Sequence, residues 1–196
     1  MTPKRVLWAL VLIATVAALI IVAVKKGSRE VVEERPPSVG GFKLSSTAFE
    51  YGGTIPAVCT CDGADISPPL VWENVPEGTV TFALIMEDPD ARISTFTHWL
   101  ICEIPGRTRA LPPKVPNKAE VASPVSAVQG NNGFRKLGYG GPCPPAGKPH
   151  RYYFRLYALD AKLDMIGGFN RRQLLAAMKD HILAEAELMG RYARTE

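Results

Sequence analysis

Residues 130–160 read GNNGFRKLGYGGPCPPAGKPHRYYFRLYALD, and the rest of the chain is organised around them. The segment Gly138-Tyr139-Gly140-Gly141-Pro142-Cys143-Pro144-Pro145 is a loop shaped in advance. Proline fixes φ and removes a donor, while glycine takes backbone angles that other residues avoid. His150 then opens an apolar, aromatic run, Arg151 to Leu159, of strand character. Glycine N–H groups able to face a ligand, followed by a histidine and an arginine at a strand start, suit a small anion site. The plainer reading of the same residues is a tight turn before a strand.

Two earlier runs have the same character. Thr79 to Asp88 (TVTFALIMED) is continuously apolar, as a strand buried on both faces would be, and His98 to Ile104 (HWLICEI) resembles it. Asp88 closes one run and His98 opens the next, so antiparallel pairing puts both at one end of a sheet. A strand opened by His150 and laid antiparallel beside Thr79–Asp88 brings His150 there too, with the Gly140-Gly141-Pro142 loop. Loops at one end of a rigid sheet are where sites are usually built. Taken singly, Asp88 caps a turn before Pro89, His98 is a core histidine beside Trp99, and His150 is a surface residue after Pro149. The constellation is more specific than any member.

Elsewhere the pattern predicts a first strand over Phe42 to Phe49 and a short strand at Leu70-Val71-Trp72. Between Pro105 and Gly147 lies an irregular region that is functional or hides short strands. Asn170-Arg171-Arg172-Gln173 reads as a capping box. Leu174, Leu175, Met178 and Ile182 follow at helical spacing, so an amphipathic helix is expected to run on to Gly190 as its C-cap.

The formal charge of +4 is unevenly placed. Residues 1–39 hold Lys4, Arg5, Lys25, Lys26, Arg29 and Arg35 against Glu30, Glu33 and Glu34, leaving 17 basic and 16 acidic residues beyond them. A nearly neutral domain without a basic run is a poor nucleic-acid binder. Val6 to Val24 carries no charged side chain, and roughly 20 apolar residues cross a bilayer as a helix. The expected organisation is a tail at 1–5, a membrane helix at 6–24, a solvated linker at 25–41 and a domain at 42–196. A cleaved signal peptide competes, but no small-x-small site precedes Lys25-Lys26. The flanking charges are nearly balanced. An external domain at the cell membrane is favoured because a single N-terminal anchor most simply holds an exported domain.

Cys102 lies mid-strand and reads as a buried free thiol, whereas Cys59, Cys61 and Cys143 fall in loops. One bridge among those three is open, and sequence assigns none. There is no G-x-S-x-G, no H-E-x-x-H, no P-loop and no zinc spacing. Two histidines with carboxylates suit acid–base hydrolysis, but no activated nucleophile accompanies them, so an enzyme is not expected. No cofactor or metal is expected either.

A family resemblance rests on Cys61-Asp62-Gly63 with Ser67-Pro68-Pro69-Leu70 and Trp72, on Asp88-Pro89-Asp90-Ala91, on His98-Trp99, on Gly138 to Pro145, and on His150-Arg151-Tyr152 with Tyr157-Ala158-Leu159-Asp160. In this order they resemble the phosphatidylethanolamine-binding protein family, in its bacterial and archaeal Raf kinase inhibitor-like branch, over about residues 42–192. The resemblance implies a mainly β fold, a sandwich-like core of a large and a small sheet with flanking helices. It also implies a pocket for phosphate-like anions and phospholipid head groups. By resemblance the pocket aligns with Asp88, His98, Gly141, Pro142 and His150, with Asp90, Arg151 and Tyr152 adjacent. The amides of Gly140 and Gly141 would contact the anion, and the histidines would add hydrogen bonds, or charge when protonated. A protease or kinase inhibitor is the alternative role the family implies. The chain departs at Arg92, where proline is common, and at Asn132-Gly133-Phe134-Arg135, where Asn-Asp-Phe-Gly is common.

The Val6–Val24 run generates a first prediction. Full-length protein sediments with membranes and resists alkaline extraction, while a chain starting near Gly40 stays in the soluble fraction. A mature protein whose N-terminus lies after residue 26 would overturn the anchor.

Overall fold

The strand Thr81–Asp88 is buried at every one of its 8 positions and hydrogen-bonded along both edges. The computed structural model describes residues 41–194. The expected tail, the membrane helix at 6–24 and nearly all of the linker lie outside these residues. Among the described residues no helix is long and apolar enough to cross a membrane.

The elements in chain order are β1 (Lys43–Ser45), a 3-10 turn (Ala57–Cys59), β2 (Leu70–Glu73), β3 (Thr81–Asp88) and β4 (Phe96–Pro105). They continue with β5 (Ala110–Leu111), β6 (Glu120–Val121), β7 (Ala127–Gln129), β8 (His150–Leu159), α1 (Arg171–Met178) and β9 (Ile182–Tyr192). A three-stranded sheet has the order β1-β2-β5, and a six-stranded sheet the order β6-β7-β4-β3-β8-β9. All the pairings between these strands are antiparallel.

Alternation along β3 divides the core in two, because successive side chains point to opposite faces. Phe82, Leu84 and Met86 join Trp99, Phe154 and Leu156 in a cluster shared with Leu44, Leu70, Trp72 and Leu111 of the small sheet. Ala83 and Ile85 face the other way and pack with Leu100, Cys102, Leu159 and the helix residues Leu174 and Met178. The fold is therefore mainly β with two sheets, and the described residues hold one α-helix rather than several. The irregular region after Pro105 carries three short strands, β5, β6 and β7. The first strand is shorter than expected, three residues within Phe42–Phe49.

The C-terminal expectation needs correction. The capping box forms: the Asn170 side chain accepts from the Gln173 N–H at 3.0 Å, and Gln173 Oε1 accepts from the Asn170 N–H at 2.9 Å. The helix then ends at Met178, Asp180 takes a φ of 69°, and residues 182–192 are a strand. Ala, Glu, Leu and Met favour helix intrinsically, but tertiary packing overrides propensity. The period is two: Ala184, Ala186, Leu188 and Tyr192 are buried, while Arg155 of the neighbouring strand bonds Glu187 at 3.1 Å and reaches Glu185 at 3.5 Å. Gly190 is no C-cap. It sits opposite Tyr152, where a Cβ would lie 2.6 Å from Ile55 and 2.7 Å from Phe49.

Cys61 and Cys143 form a disulfide closing a separation of 82 residues, and Cys59 and Cys102 are buried free thiols. Cross-links over long loops stabilise mainly by restricting the unfolded chain, and their loss costs about 2–5 kcal/mol. Replacing both Cys61 and Cys143 by serine should lower the thermal midpoint by several degrees or more while the far-ultraviolet dichroism at low temperature keeps its β character. An unchanged midpoint would mean that the bridge does not form in solution.

Candidate functional site

Asp88 is the last residue of β3, His150 the first of β8, and His98 lies near the start of β4. Antiparallel pairing of β3 with both neighbours brings the three to one end of the large sheet, on the face turned toward the small one. Asp88 is 4% exposed and His98 3%. The His150 Nδ1–H donates to Asp88 Oδ2 at 2.8 Å, and Asp88 Oδ1 accepts the Asp90 N–H at 2.8 Å. A cavity of about 130 Å³ opens beside them. Phe96 and Phe134 wall it, with ring centroids 4.7 Å apart, Cys143, Pro144 and Pro145 form another side, and Ala91 and Arg92 complete it.

His98 is held in one tautomer. Its Nδ1 lies 2.6 Å from the Gly140 carbonyl oxygen, which can only accept, so Nδ1 carries the proton. The Gly140 N–H in turn donates to the His98 carbonyl at 3.0 Å. Burial disfavours the imidazolium and pushes the His98 pKa below its ordinary value, although the Gly140 carbonyl and the Asp88 carboxylate pull it the other way. A neutral His98 with Nδ1–H committed keeps an Nε2 lone pair, an acceptor rather than a source of positive charge.

The loop residues act differently from what the sequence suggests. The Gly141 N–H donates to Asp65 Oδ1 at 2.6 Å and the Gly140 N–H is used by His98, so neither amide remains for an anion. Glycine at 141 answers a packing need, because a Cβ there would lie 2.3 Å from the Cys59 carbonyl oxygen. Gly140, Gly141 and Pro142 support the site from behind and do not line the cavity. The same contacts bolt their loop to the 59–65 segment. The Cys61 N–H donates to the Pro142 carbonyl at 3.1 Å, the Tyr139 hydroxyl to the Cys59 carbonyl at 2.6 Å, and the disulfide lies alongside.

Asp90 and Arg151 pair with each other outside the cavity. Asp90 accepts from the Arg151 backbone N–H and Nε at 2.9 Å each and from Nη2 at 2.7 Å, and these bonds hold the Asp90 carboxyl below its usual range. Tyr152 is fully buried behind His98, its ring edge-on at 5.2 Å. Its hydroxyl has no hydrogen-bond partner of normal geometry, and burial, with Asp88 close by, pushes its pKa up.

Sequence reasoning overlooked the aromatic wall of Phe96 and Phe134. Its signal was Gly133, where a Cβ would lie 2.5 Å from the Phe96 ring, next to Asn132, whose Oδ1 accepts from the Phe134 N–H at 3.0 Å. Of the two arginines at the departures, Arg92 lines the cavity and Arg135 does not. Among the described residues no group of three or more His, Cys, Asp or Glu is placed to hold a metal ion.

Comparison with known proteins matches residues 45–193 to the family described as phosphatidylethanolamine-binding protein. A protein of Aquifex aeolicus, called a UPF0098 protein, is 47% identical over 161 residues, covering 80% of this chain and 92% of the relative. Another of that description, from Methanothermobacter thermautotrophicus, is 48% identical over 153 residues, covering 78% and 99%. The crystal structure of a phosphatidylethanolamine-binding protein homologue from Chlamydia trachomatis superposes with a TM-score of 0.71 at 39% identity, covering 80% of this chain and 99% of that one. YbcL of Escherichia coli, described as a new member of the mammalian family, gives a TM-score of 0.73 at 33% identity, covering 79% and 99%.

The environment of His98 generates a pH prediction. A folded-state pKa below the unfolded value of about 6.5 means that the unfolded chain takes up a proton the folded one refuses. Stability contributed by His98 is complete above about pH 6.5 and falls as pH drops below it. Nitrogen-15 spectra of the ring should show the neutral Nδ1–H tautomer at pH 7 and a titration midpoint below 6.5. A midpoint above 6.5 would overturn this assignment.

Proposed function

The chain belongs to the phosphatidylethanolamine-binding protein family, and from that premise we propose that it is a binding module whose cavity at Asp88, His98 and His150 holds a small anion such as phosphate or a phospholipid head group. The observation that carries this reading is the pair of buried Asp88 and half-buried His150 opening on a cavity of about 130 Å³ with Arg92 on its lining. Since water occupies about 30 Å³ per molecule in the liquid, that space is of the order of a phosphate-sized group.

Each polar group has a distinct part. A protonated His150 keeps Nδ1–H on Asp88 and offers Nε2–H to an anion oxygen. Arg92 adds a guanidinium, which suits phosphate and carboxylate geometry. His98 accepts through Nε2, and so favours a ligand that also carries a donor, a hydrogen phosphate or a head-group ammonium. Phe96, Phe134 and the prolines give the cavity apolar walls, and charge-assisted bonds are stronger beside apolar surface than in open water. The role proposed is binding rather than catalysis.

The localisation proposed with it is a domain tethered by residues 6–24 on the external side of the cell membrane. The Cys61–Cys143 disulfide supports this, because such bridges persist in oxidising compartments. A regulatory inhibitor of a protease or kinase is the second reading, favoured by Ile93, 99% exposed, in the loop that also carries Arg92. Replacing Ile93 by serine should then abolish inhibition without touching anion affinity.

Titration calorimetry of full-length protein with inorganic phosphate tests the first reading. Loss of a charge-assisted hydrogen bond costs roughly 1.5–3 kcal/mol, so His150→Ala and Arg92→Gln should each weaken binding about ten- to a hundredfold with the fold intact. Unchanged affinity in both variants would remove the anion from this cavity.

A further inference from the structure

Four polar side chains line the cavity, Asp88, Arg92, His98 and His150, and they do not offer the same kind of bond. Arg92 only donates, whereas an ionised Asp88 only accepts. Asp88 Oδ2 takes the His150 Nδ1–H and Oδ1 the Asp90 N–H, which leaves each oxygen further lone-pair capacity. His98 is the fixed point. Its Nδ1–H is held at 2.6 Å by the Gly140 carbonyl, on the loop behind the cavity. Its Nε2 has no hydrogen bond among the described residues, yet it is not sealed in, because the side-chain polar atoms both buried and unpartnered are Trp72 Nε1 and the Tyr152 hydroxyl. With His98 only 3% exposed and lining the cavity, the cavity is where Nε2 is reached. Burial keeps the ring neutral against the pull of the Gly140 carbonyl, Asp88 and Asp65. The Tyr152 hydroxyl, a donor close by, does not line the cavity.

An oxyanion in this cavity therefore meets two groups that cannot donate to it, the Nε2 lone pair of His98 and the Asp88 carboxylate. Oxygen lone pairs set against them stay unpaired and, at Asp88, are repelled. A proton carried by the ligand turns the same contact into a hydrogen bond. Tetrahedral anions divide on this point. Inorganic phosphate keeps at least one proton at neutral pH, whereas sulfate and a phosphodiester keep none. Sites built to bond a ligand hydroxyl reject the analogue that lacks it, because their buried polar groups are then left without a partner.

We propose that His98 makes the cavity selective for an oxyanion that brings a hydrogen-bond donor with it, and that sulfate and simple phosphodiesters are excluded. The donor is the anion's own proton, as in hydrogen phosphate, or an ammonium attached to a diester, as in an ethanolamine head group. The proposal rests on the anion reading of the cavity and deepens it. That reading asks only for a small anion beside Arg92 and His150, and this one adds a proton directed at Nε2.

Calorimetry on full-length protein at pH 7 and constant ionic strength compares inorganic phosphate, sulfate, dimethyl phosphate and glycerophosphoethanolamine. Sulfate is at least as highly charged as phosphate there, so charge alone would favour sulfate. The better of phosphate and glycerophosphoethanolamine should instead bind about tenfold or more tighter than sulfate and dimethyl phosphate. Glycerophosphoethanolamine locates the donor: an affinity well above that of dimethyl phosphate assigns it to a head-group ammonium, and one no better assigns it to the proton of the free anion. A glutamine amide can turn either its oxygen or its NH₂ toward a ligand, so His98→Gln should narrow the preference over sulfate about tenfold, mostly through tighter sulfate. A role in packing alone would weaken all the anions and keep their ratios, and that result overturns the proposal. Should His98→Gln fail to fold, nitrogen-15 spectra of the unaltered ring carry the test. With the preferred ligand bound, Nδ1 stays protonated and Nε2 stays an acceptor, and a protonated Nε2 overturns the proposal. Sulfate binding as tightly as the preferred ligand overturns the selection and leaves the anion reading in place. If none of the four ligands binds, both fall.

Discussion

Strand β3 has no free edge and no free face. Its edges are bonded to β4 and β8, and its faces are covered by the inter-sheet core and by the layer containing α1. A strand so enclosed can carry polar groups only at its ends, Thr81 at the first and two carboxylates at the last. Glu87 turns to the α1 side, where it is ion-paired with Arg155 and Arg171. Asp88 turns to the other side and holds His150. Both carboxylates are almost fully buried, and removing a partner from a buried charge typically costs about 3–5 kcal/mol. The position of the site thus follows from the strand that organises the fold.

What could be read from the sequence was what periodicity and strand order govern. Three long apolar runs with Asp88, His98 and His150 at their ends placed the mouth of the sheet, since antiparallel neighbours leave few other arrangements. The reading of residues 182–190 failed because Ala, Glu, Leu and Met are strong helix formers and Leu174, Leu175 and Met178 already set a helical period. The alternation of Ala184, Glu185, Ala186 and Glu187 was visible, but its meaning depended on Arg155 across the strand pair. The glycine amides were misjudged for a related reason. Gly141 looks like a donor until Asp65, 76 residues away, takes its N–H. Side chains that approach from distant segments leave no local mark.

The loop from Tyr139 to Cys143 is held by hydrogen bonds, a tight glycine contact and a covalent bridge, all to the 59–65 segment. That redundancy fixes the Gly140 carbonyl, and the carbonyl fixes the ring of His98. A buried imidazole chooses its tautomer by the partner it is given. The rigid loop therefore decides whether the ring of His98 turns an acceptor or a donor toward the cavity.

The pairing of β3 with β8 also bears on how the chain reaches its native state. Asp88 and His150 are 62 residues apart, so β4 can close a hairpin on β3 long before β8 arrives. Contacts between distant segments are slow to form because the loop must be closed before they contribute. During synthesis the second edge of β3 stays bare until residues beyond 150 have emerged. An apolar strand with an unpaired edge invites pairing with another chain. The enclosure that gives the finished domain its core thus leaves the nascent one with its greatest hazard of aggregation, and β8 is the element that ends it.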